Sequence, residues 1–547
     1  MPGGADDTPK APSSHRALTD WLLLAGFCAF LFFFGLGYFG LIGADEPRYA
    51  QVAREMLARR DWITPTLGGK PWLEKPALYY WQAMLAFRWF GVSDWAARLP
   101  SALDATLMVV AVYLFLRRFR PGCQLDGALM TASAAGVIGF ARAASMDMPL
   151  AAAFTIALLA WYAWYESRSK SYLILFYLFT ALGMLAKGPV APLLVAFVIA
   201  LFAVAKGEYR LVWQTSWIPG VAVFCAVALP WYIAVQIRNP EFFRVFILEH
   251  NLERFGINLY HHKAPFWYYL PVVLLGLVPW VVFILAALAE CLRAWWVEKR
   301  EFLQSEDALT AFLVVWLVVP ILFFSLSESK LPGYVVPVLP AGTLLLSEYV
   351  RRRLGSVERP SLLLAVLHSL IAALPLVPAL MLQYILLQHR LPWGTAAAIS
   401  TGLTLVVAAA MAATLRTQQG LGMLRFVTLV PVVLAVTAVL RIGAPKLDET
   451  LSARPLAKEI SRVEAQTLPL AVFRVSRETE FGLEFYRDRA ITRYEWGPAP
   501  ATEHLVVTPE GFQARLAKKL GGRRFSYLGG FAPQHVEYYW VAGKSSN

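Results

Sequence analysis

The sequence predicts a polytopic α-helical membrane protein, and two observations carry that prediction. Of its 547 residues, 58% are hydrophobic and only 16% are charged, and the mean hydropathy is +0.52. A soluble domain of this length has far fewer apolar residues. In addition, residues 21–44 contain no charged side chain, and that run exceeds the ~20 residues that span a bilayer as a helix. Similar runs recur along most of the chain.

The apolar runs predict about thirteen membrane-spanning helices. Their approximate bounds are 18–43, 98–116, 124–141, 147–165, 172–186, 189–205, 212–236, 268–290, 308–326, 332–350, 361–386, 394–415 and 424–441. Residues 18–442 are therefore expected to form one transmembrane domain. The polar, proline-containing residues 1–17 do not have the pattern of a signal peptide, and we expect them to form a disordered cytoplasmic tail.

Basic residues in alternate loops predict the orientation of the chain. Short basic loops occur near 117–120, 168–170, 206–210, 299–300, 351–353 and 416–425. The positive-inside rule places them in the cytoplasm together with the N-terminus, which also accounts for the net charge of +13 without nucleic-acid binding. Two long loops, about 44–97 and 237–267, then face the outer side. With an odd number of spans, residues 443–547 lie on that side as well.

The last part of the chain has the pattern of a small soluble α/β domain. Residues 470–475, 490–495, 504–509 and 536–543 predict short strands, whereas 480–488 and 511–521 predict helices. Cysteines give no further constraint, because the four of them show no CxxC spacing and no plausible disulfide framework.

The first outer loop opens with LIGADEPRYAQVAREML, residues 41–57, in which two adjacent carboxylates follow a membrane span. Apolar residues at 49, 52, 53, 56 and 57 predict an amphipathic helix along the membrane surface. Asp45 can be interpreted as its N-cap, or as a reacting group placed at the membrane interface. Both interpretations are compatible, because a capping carboxylate is also a fixed one.

The remaining polar residues of the outer loops suggest a site for an anionic headgroup. Lys70, Glu74 and Lys75 alternate with prolines and aromatic residues, so they lie on a shaped loop rather than a helix. The aromatic residues could equally be interfacial anchors. Lys187, flanked by long uncharged runs, is costly in a membrane unless it is paired, functional or snorkelling to the surface.

A metal site is a second possibility in this region. His261 and His262 are adjacent in the second outer loop, and with Glu74 they could ligate a metal. No HExxH or similar spacing is present, so solvated or phosphate-facing histidines are the favoured interpretation.

These motifs resemble a known family. ADEPRYAQVAREML, KPWLEKPALYYW and FGVSDWAARLPSAL, followed by DMPL, AKGPVA, HNLERF, PFWYYLP and SESKLPGY, are similar to the polyprenyl-phosphate-dependent GT-C glycosyltransferases of the protein O-mannosyltransferase superfamily. Within it the pattern is most similar to the bacterial transferases of 4-amino-4-deoxy-L-arabinose (aminoarabinose) to lipid A. Thirteen spans and a small periplasmic C-terminal domain fit that family.

The resemblance implies an inverting transfer of aminoarabinose from undecaprenyl phosphate to a lipid A phosphate on the periplasmic face of the inner membrane. That modification of lipopolysaccharide is associated with resistance to polymyxin and cationic antimicrobial peptides. It also implies a catalytic role for Asp45. The expected substrate-binding residues are Glu46, Arg48, Tyr49, Glu74, Lys75, Tyr79, Asp147, Lys187, Arg254, Lys330 and Tyr334.

No cofactor is expected, since the donor carries its energy in the sugar–phosphate bond and no P-loop or dinucleotide glycine motif occurs. Lipid donor and lipid acceptor are the expected partners, with no nucleic acid and no obligate protein partner. Two alternatives stay open: a related glycosyltransferase acting on protein or another lipid, and a transporter or flippase. The sequence shows no internal repeat of the kind found in many transporters.

Overall fold

The computed structural model describes residues 14–253, 264–298, 308–354, 359–382, 392–464 and 466–544. Within those ranges nine helices are long and apolar enough to cross a membrane, and a sharply bent pair makes up to ten. The nine are Asp94–Phe119, Asp147–Ser167, Lys170–Lys187, Ile218–Arg238, Ala308–Ser325, Pro332–Arg353, Leu362–Met381, Trp393–Leu415 and Gly420–Leu451. Two shorter apolar helices are Ala17–Phe33 and Val190–Lys206. The predicted polytopic helical architecture is confirmed.

The helix Asp147–Ser167 lies at the centre of the bundle. Of its apolar window, 94% is buried inside the protein, because it packs between Asp94–Phe119 and Lys170–Lys187. Trp161 stacks on Phe312 with ring centroids 5.5 Å apart. Its first residue, Asp147, therefore lies at the end of a helix that is almost entirely buried.

Two of the predicted spans are broken, so the prediction of continuous helices over 124–141 and 268–290 is wrong. The first consists of Gln124–Ser133 and Ala135–Ala141, separated by Ala134 in an extended conformation. In the second, the axes of Phe266–Gly276 and Val281–Val297 are bent by 118°. Pro279 cannot donate a backbone hydrogen bond and interrupts that helix. The breaks meet where the Ala135 N–H donates to the Val278 carbonyl at 2.8 Å.

The first outer loop folds as two helices joined by a small hairpin. The predicted amphipathic helix is present as Asp45–Arg59 and is called here the first loop helix. The strands β1 (Thr66–Leu67) and β2 (Lys70–Pro71) follow as an antiparallel pair. A second loop helix, Leu78–Phe90, completes the segment. The capping interpretation is wrong, because Ala44 occupies the N-cap position and Asp45, the first helical residue, makes no capping bond.

Residues 470–541 form a five-stranded mixed sheet in the order β4-β3-β5-β7-β6. Its strands are β3 (Leu470–Val472), β4 (Thr492–Arg493), β5 (His504–Pro509), β6 (Phe525–Phe531) and β7 (Val536–Val541). Helices Arg454–Val463 and Arg477–Arg487 pack on one face, and Gln513–Leu520 packs on the other. Four of the five strands and two of the three helices coincide with predicted segments, whereas β6 and Arg454–Val463 were not predicted.

The helix Arg477–Arg487 holds the C-terminal sheet against the first outer loop and is called here the docking helix. The Leu41 N–H donates to the Tyr486 hydroxyl at 2.6 Å, and that hydroxyl donates to Asp94 at 2.5 Å. Arg454 donates to the same Asp94 carboxylate at 2.8 Å. From the other side, Arg54 of the first loop helix donates to the Phe485 carbonyl at 2.9 Å. The two parts of the chain are thus joined by partly buried polar contacts.

One carboxyl group in this interface makes its stability depend on pH. Burial, with Glu55 and Glu480 close by, raises the pKa of Glu484 to about 8. An acid whose pKa is raised on folding stabilises the fold fully below its unfolded value, and that contribution is lost as pH rises through the folded value. We therefore expect the Tm of the detergent-solubilised protein to fall between about pH 5 and pH 9.

The Glu484→Gln variant cannot ionise, so its Tm should fall less over the same pH range. Glu510→Gln, which changes an exposed carboxylate of the same domain, is the matched control and should follow the wild type. Equal pH dependence in all three proteins would contradict this assignment.

Candidate functional site

The start of the first loop helix is fixed by a buried ion pair between Glu46 and Arg98. Arg98 is fully buried and Glu46 is 6% exposed. The Arg98 guanidinium donates to both Glu46 oxygens, from Nε at 3.1 Å and from Nη2 at 2.7 Å. The same carboxylate accepts the backbone N–H groups of Ile42 at 2.8 Å and Ala144 at 2.7 Å. Every oxygen of Glu46 is therefore used within the protein.

Arg98 also binds the backbone that leads into this helix. Its Nη1 donates to the carbonyls of Leu36 and Phe39 at 3.0 and 2.8 Å, and its Nη2 donates to Gly40 at 2.8 Å. All five N–H donors of the guanidinium are thereby satisfied. A buried charge is tolerated only when it is paired and fully hydrogen-bonded. This pair ties together the end of the first span, the first loop helix, helix Asp94–Phe119 and the turn at Ala144.

Asp45 lies next to this pair but faces outward. Its side chain is 56% exposed and forms an ion pair with Arg48 one helical turn later. As the first residue of the helix it is close to the positive end of the helix dipole, where an anionic group is stabilised. The pair Asp45–Glu46 thus divides into an accessible carboxylate and a buried one.

Arg48 is held by three aromatic rings. Its guanidinium carbon lies 5.1 Å from the ring centre of Tyr49, 5.3 Å from that of Trp72 and 5.5 Å from that of Phe481. Phe481 belongs to the docking helix, so the C-terminal domain contributes directly to this site. Cation–π contacts of this kind fix the plane of a guanidinium; here Nη2 donates to Asp45 and Tyr49, and Nε has no partner among the described residues.

Several polar atoms around Arg48 are buried without a partner. Within the described part of the chain these are Arg48 Nε, Trp72 Nε1 and the Tyr80 hydroxyl. Burial alone would lower the pKa of Arg48, but Tyr49 and two nearby carboxylates outweigh burial and raise it. Buried donors without acceptors are costly, so this cluster is suited to an anionic ligand that accepts hydrogen bonds.

Three buried tyrosines pack together next to Arg48. Tyr79 and Tyr80 are completely buried and Tyr49 is 6% exposed, with neighbouring ring centres 6.1–6.3 Å apart. The interpretation of Tyr79 and Tyr80 as interfacial anchors is therefore wrong, because both rings pack inside the protein. Glu74 lies close enough to raise the pKa of both Arg48 and Tyr80.

A second charged cluster joins three distant segments. Lys187 forms an ion pair with Asp147, and its ammonium lies 4.6 Å from the ring centre of Tyr334. Gly333 is required here, since a Cβ atom at that position would lie 2.5 Å from the Asp147 carboxylate. Lys187 is therefore paired within the protein and does not snorkel to the surface.

The two clusters are electrostatically connected through Tyr49. Its buried hydroxyl has a raised pKa, first because of burial and then because the Asp45 and Asp147 carboxylates are close. The structure thus brings together most of the residues predicted from the sequence. They are Asp45, Glu46, Arg48, Tyr49, Glu74, Tyr79, Asp147, Lys187 and Tyr334.

The remaining predicted residues are placed as follows. Lys330 is 7% exposed and donates to the Ser327 carbonyl. Lys75 is half-buried in the segment between β2 and the second loop helix. Arg254, His261 and His262 lie outside the described residues. Among the described residues no group of three metal-ligating side chains occurs. This finding does not test the predicted metal site, because His261 and His262 are two of its three candidate ligands and lie outside those residues.

Sequence reasoning missed Arg98, Trp72 and Phe481. A signal existed for Arg98, which is an arginine inside the apolar run ARLPSAL and therefore needs a buried partner. Trp72 stands beside the predicted charges of its loop. Phe481 had no such signal, because it is 433 positions from Arg48 and only the docking of the two domains brings them together.

The bundle and this site together define the class of protein. The chain is a polytopic helical membrane protein with a GT-C fold, and its first long loop presents a carboxylate beside clustered cations. Residues 74–233 match the family described as dolichyl-phosphate-mannose-protein mannosyltransferase. That match covers Glu74, Asp147 and Lys187 but begins after Asp45.

Among sequences, the chain is similar to undecaprenyl phosphate-α-4-amino-4-deoxy-L-arabinose arabinosyl transferases. It is 33% identical to transferase 1 of Pseudomonas fluorescens Pf-5 over 341 residues, which are 61% of this chain and 60% of that protein. It is also 33% identical to the transferase of Pseudomonas aeruginosa UCBPP-PA14 over 356 residues, 62% of this chain and 61% of that protein. The alignments thus span about three fifths of these relatives, and the resemblance inferred from the motifs is confirmed.

Solved structures confirm the fold over nearly the whole chain. ArnT from Cupriavidus metallidurans bound to undecaprenyl phosphate superposes with a TM-score of 0.75 at 20% identity, covering 96% of this chain and 100% of that one. The Archaeoglobus fulgidus oligosaccharyltransferase gives a TM-score of 0.51 at 12% identity, covering 93% and 71%. At these identities the likeness concerns the fold.

Substitution of the buried Glu46 should affect the stability of the fold far more than substitution of the exposed Asp45. Removing Glu46 leaves Arg98 buried without its counter-ion, and breaking such a pair costs about 3–5 kcal/mol. We expect Glu46→Ala to lower the Tm in detergent strongly. Asp45→Asn, which disrupts only an exposed pair, should change stability by less than about 1 kcal/mol. Equal Tm values for the two variants would disprove this division.

Proposed function

We propose that the protein transfers 4-amino-4-deoxy-L-arabinose from undecaprenyl phosphate to a phosphate group of lipid A. The single observation that carries the proposal is the accessible Asp45 carboxylate beside Arg48, in a chain that matches named transferases of this sugar. The likeness of its fold to an ArnT bound to undecaprenyl phosphate supports it.

The reaction needs one bond to form and one to break. An oxygen of the acceptor phosphate attacks the anomeric carbon of the sugar, and the bond from that carbon to the carrier phosphate breaks. The electron pair leaves with the undecaprenyl phosphate oxygen, and the configuration at the sugar inverts. No nucleotide enters the reaction, because the sugar–phosphate bond of the donor supplies the driving force.

Arg48 and Lys187 are the cations best placed to stabilise the leaving phosphate. Arg48 is oriented by its three rings and retains an unpartnered Nε. Lys187 shares its charge with Asp147 and is positioned against Tyr334. Cations fixed in advance around a developing negative charge lower the barrier without further reorganisation. Lys75, Lys330 and Arg254 are further candidates from the sequence.

Asp45 acts on the acceptor side or on the sugar. Its carboxylate can remove a remaining proton from the acceptor phosphate, and it can also pair with the ammonium group of aminoarabinose. A phosphate monoester is already largely ionised at neutral pH, which favours the charge-pairing role. Glu46 then acts indirectly, since its oxygens are occupied by Arg98 and backbone N–H groups.

We further propose the topology inferred from the loop charges. The chain would cross the inner membrane thirteen times, with residues 1–17 in the cytoplasm and with the site and residues 443–547 in the periplasm. Alkaline phosphatase is active only in the periplasm. A fusion after residue 544 should therefore be active and one after residue 206 inactive, and the reverse pattern would overturn the proposal.

The second candidate function is the transfer of a lipid-linked sugar to a different acceptor. The match of residues 74–233 to the mannosyltransferase family favours a lipid-linked-sugar transferase that acts on protein or on another lipid. Mass spectrometry of lipid A from cells that make the donor separates the two. Added aminoarabinose on lipid A supports the first proposal, and its absence together with glycosylated protein supports the second.

Asp45→Asn should lose transfer by at least about 100-fold under either role. A positioned general base contributes roughly 10²–10⁴ to a proton transfer, and a preorganised charge at the reacting centre contributes roughly 10²–10³. The assay uses purified protein with both lipids, and an unchanged Tm shows that the variant is folded. Asp61→Asn, in the same outer loop, is the control and should stay active. Because no metal is proposed, excess EDTA should leave wild-type transfer unchanged. A fully active Asp45→Asn variant would remove this residue from the mechanism.

A further inference from the structure

A cavity of about 440 Å³ adjoins the start of the first loop helix, where Glu46 lines it. Ile42, Glu46 and Ala143 line its outer end, immediately beside Asp45 in the chain. The described residues that line it include neither Arg48 nor Lys187, so it is separate from the cation cluster described above. Asp45 does not line this cavity, but its neighbour Glu46 does.

The walls of the cavity are built from the broken helices. The segment Ala135–Ala141 forms one wall, the break at Val278 and Pro279 forms another, and helix Gly420–Ala438 closes it with Val432 and Ala435. No charged residue lies at either break, which distinguishes this space from the polar midplane sites of transporters. Val439, another lining residue, is 44% exposed, so the cavity can be reached from the surface that faces the lipid.

Arg142 gives the mouth of this apolar cavity a positive charge. Its guanidinium donates to the carbonyls of Leu31 at 3.0 Å and Phe34 at 2.9 Å, and within the described part of the chain it forms no ion pair. Arg98 is nearby, but that charge is already matched by Glu46. The positive charge of Arg142 therefore has no ion-pair partner among the described residues at this cavity.

The pKa of Arg142 is lowered, as expected for a cation without a paired carboxylate. Burial and the neighbouring Arg98 cation lower the pKa of Arg142 to about 10. An anion at the mouth of the cavity would relieve both effects. Arg142 uses two of its five N–H groups on backbone carbonyls, and the others can bind a phosphate with charge-assisted hydrogen bonds.

We propose that this cavity holds an acyl chain of the acceptor lipid while Arg142 binds the acceptor's phosphate. The inference rests on the proposed function and adds where the acceptor binds. Charge complementarity carries it: the mouth is cationic, the interior is apolar, and the acceptor is an anionic lipid. Its phosphate would lie between Arg142 and Asp45, on the side opposite the Arg48 and Lys187 cluster.

The two parts of this site contribute differently to binding. An acyl chain that leaves the bilayer for the cavity moves between two apolar environments and gains little from the hydrophobic effect. The cavity therefore selects and orients the lipid by its shape, whereas Arg142 supplies the attraction. Orientation of this kind matters for catalysis, since a misplaced nucleophile reacts far more slowly.

Filling the cavity should impair acceptor binding alone. Ala435→Trp places a large ring in it, and we expect the KM for lipid A to rise at least about tenfold while the KM for the sugar donor stays unchanged. Leu434→Trp is the matched control, because the neighbouring Leu434 is 53% exposed, and it should behave like the wild type.

Arg142→Gln tests the charge independently of the cavity. It should raise the KM for lipid A at least about tenfold without changing the KM for the donor, and Arg142→Lys should restore much of the loss. If Ala435→Trp does not fold, Ile138→Phe fills the same space.

Three outcomes separate the possible failures. A rise in the donor KM instead would mean that the carrier's prenyl chain occupies the cavity, and it would overturn the inference. Unchanged values for both lipids would overturn it too. Wild-type protein that never modifies lipid A would instead refute the proposed function.

Discussion

The ion pair between Glu46 and Arg98 is the constraint on which the rest of the site depends. It is buried at the junction of the first span, the first loop helix, helix Asp94–Phe119 and the turn at Ala144. A buried ion pair contributes little net stability compared with apolar packing, so its value here is geometric. It fixes the helix start, and the neighbouring Asp45 is thereby presented outward at a defined place.

Two different environments adjoin this ion pair, a cluster of cations and an apolar cavity. On one side, Arg48 and Lys187 are each held against aromatic rings, which orient a cation without neutralising it. On the other side, Arg142 stands at the entrance to an apolar cavity. The proposed transfer between two lipids requires both substrates to reach one carboxylate without exchanging places. The cation cluster and the apolar cavity differ in the way that proposal requires.

Periodicity and composition were sufficient for the helical bundle, the first loop helix and most strands of the C-terminal sheet, because burial patterns are local properties of the sequence. The resemblance to a known family supplied the candidate site residues. In the structure Asp45 forms an ion pair with Arg48, and Asp147 forms one with Lys187. The break at Ala134 escaped prediction, because an apolar run has the same composition whether its helix is straight or bent. The break at Pro279 had a signal that was missed, because a proline inside a helix can interrupt it. The distinct roles of Asp45 and Glu46 also escaped prediction. Both are acidic, and only the buried Arg98 on another helix distinguishes them.

The contact between Phe481 and Arg48 joins two residues that are synthesised at very different times. The three rings around Arg48 come from the first loop helix, from the segment after β2 and from the docking helix. A ribosome delivers Arg48 long before it delivers Phe481, and domains generally fold as they emerge. The arginine therefore obtains its last ring only after more than four hundred further residues have been synthesised. A partly made chain in the membrane would hold Arg48 without its complete set of rings, so the site would be complete only after the C-terminal domain docks.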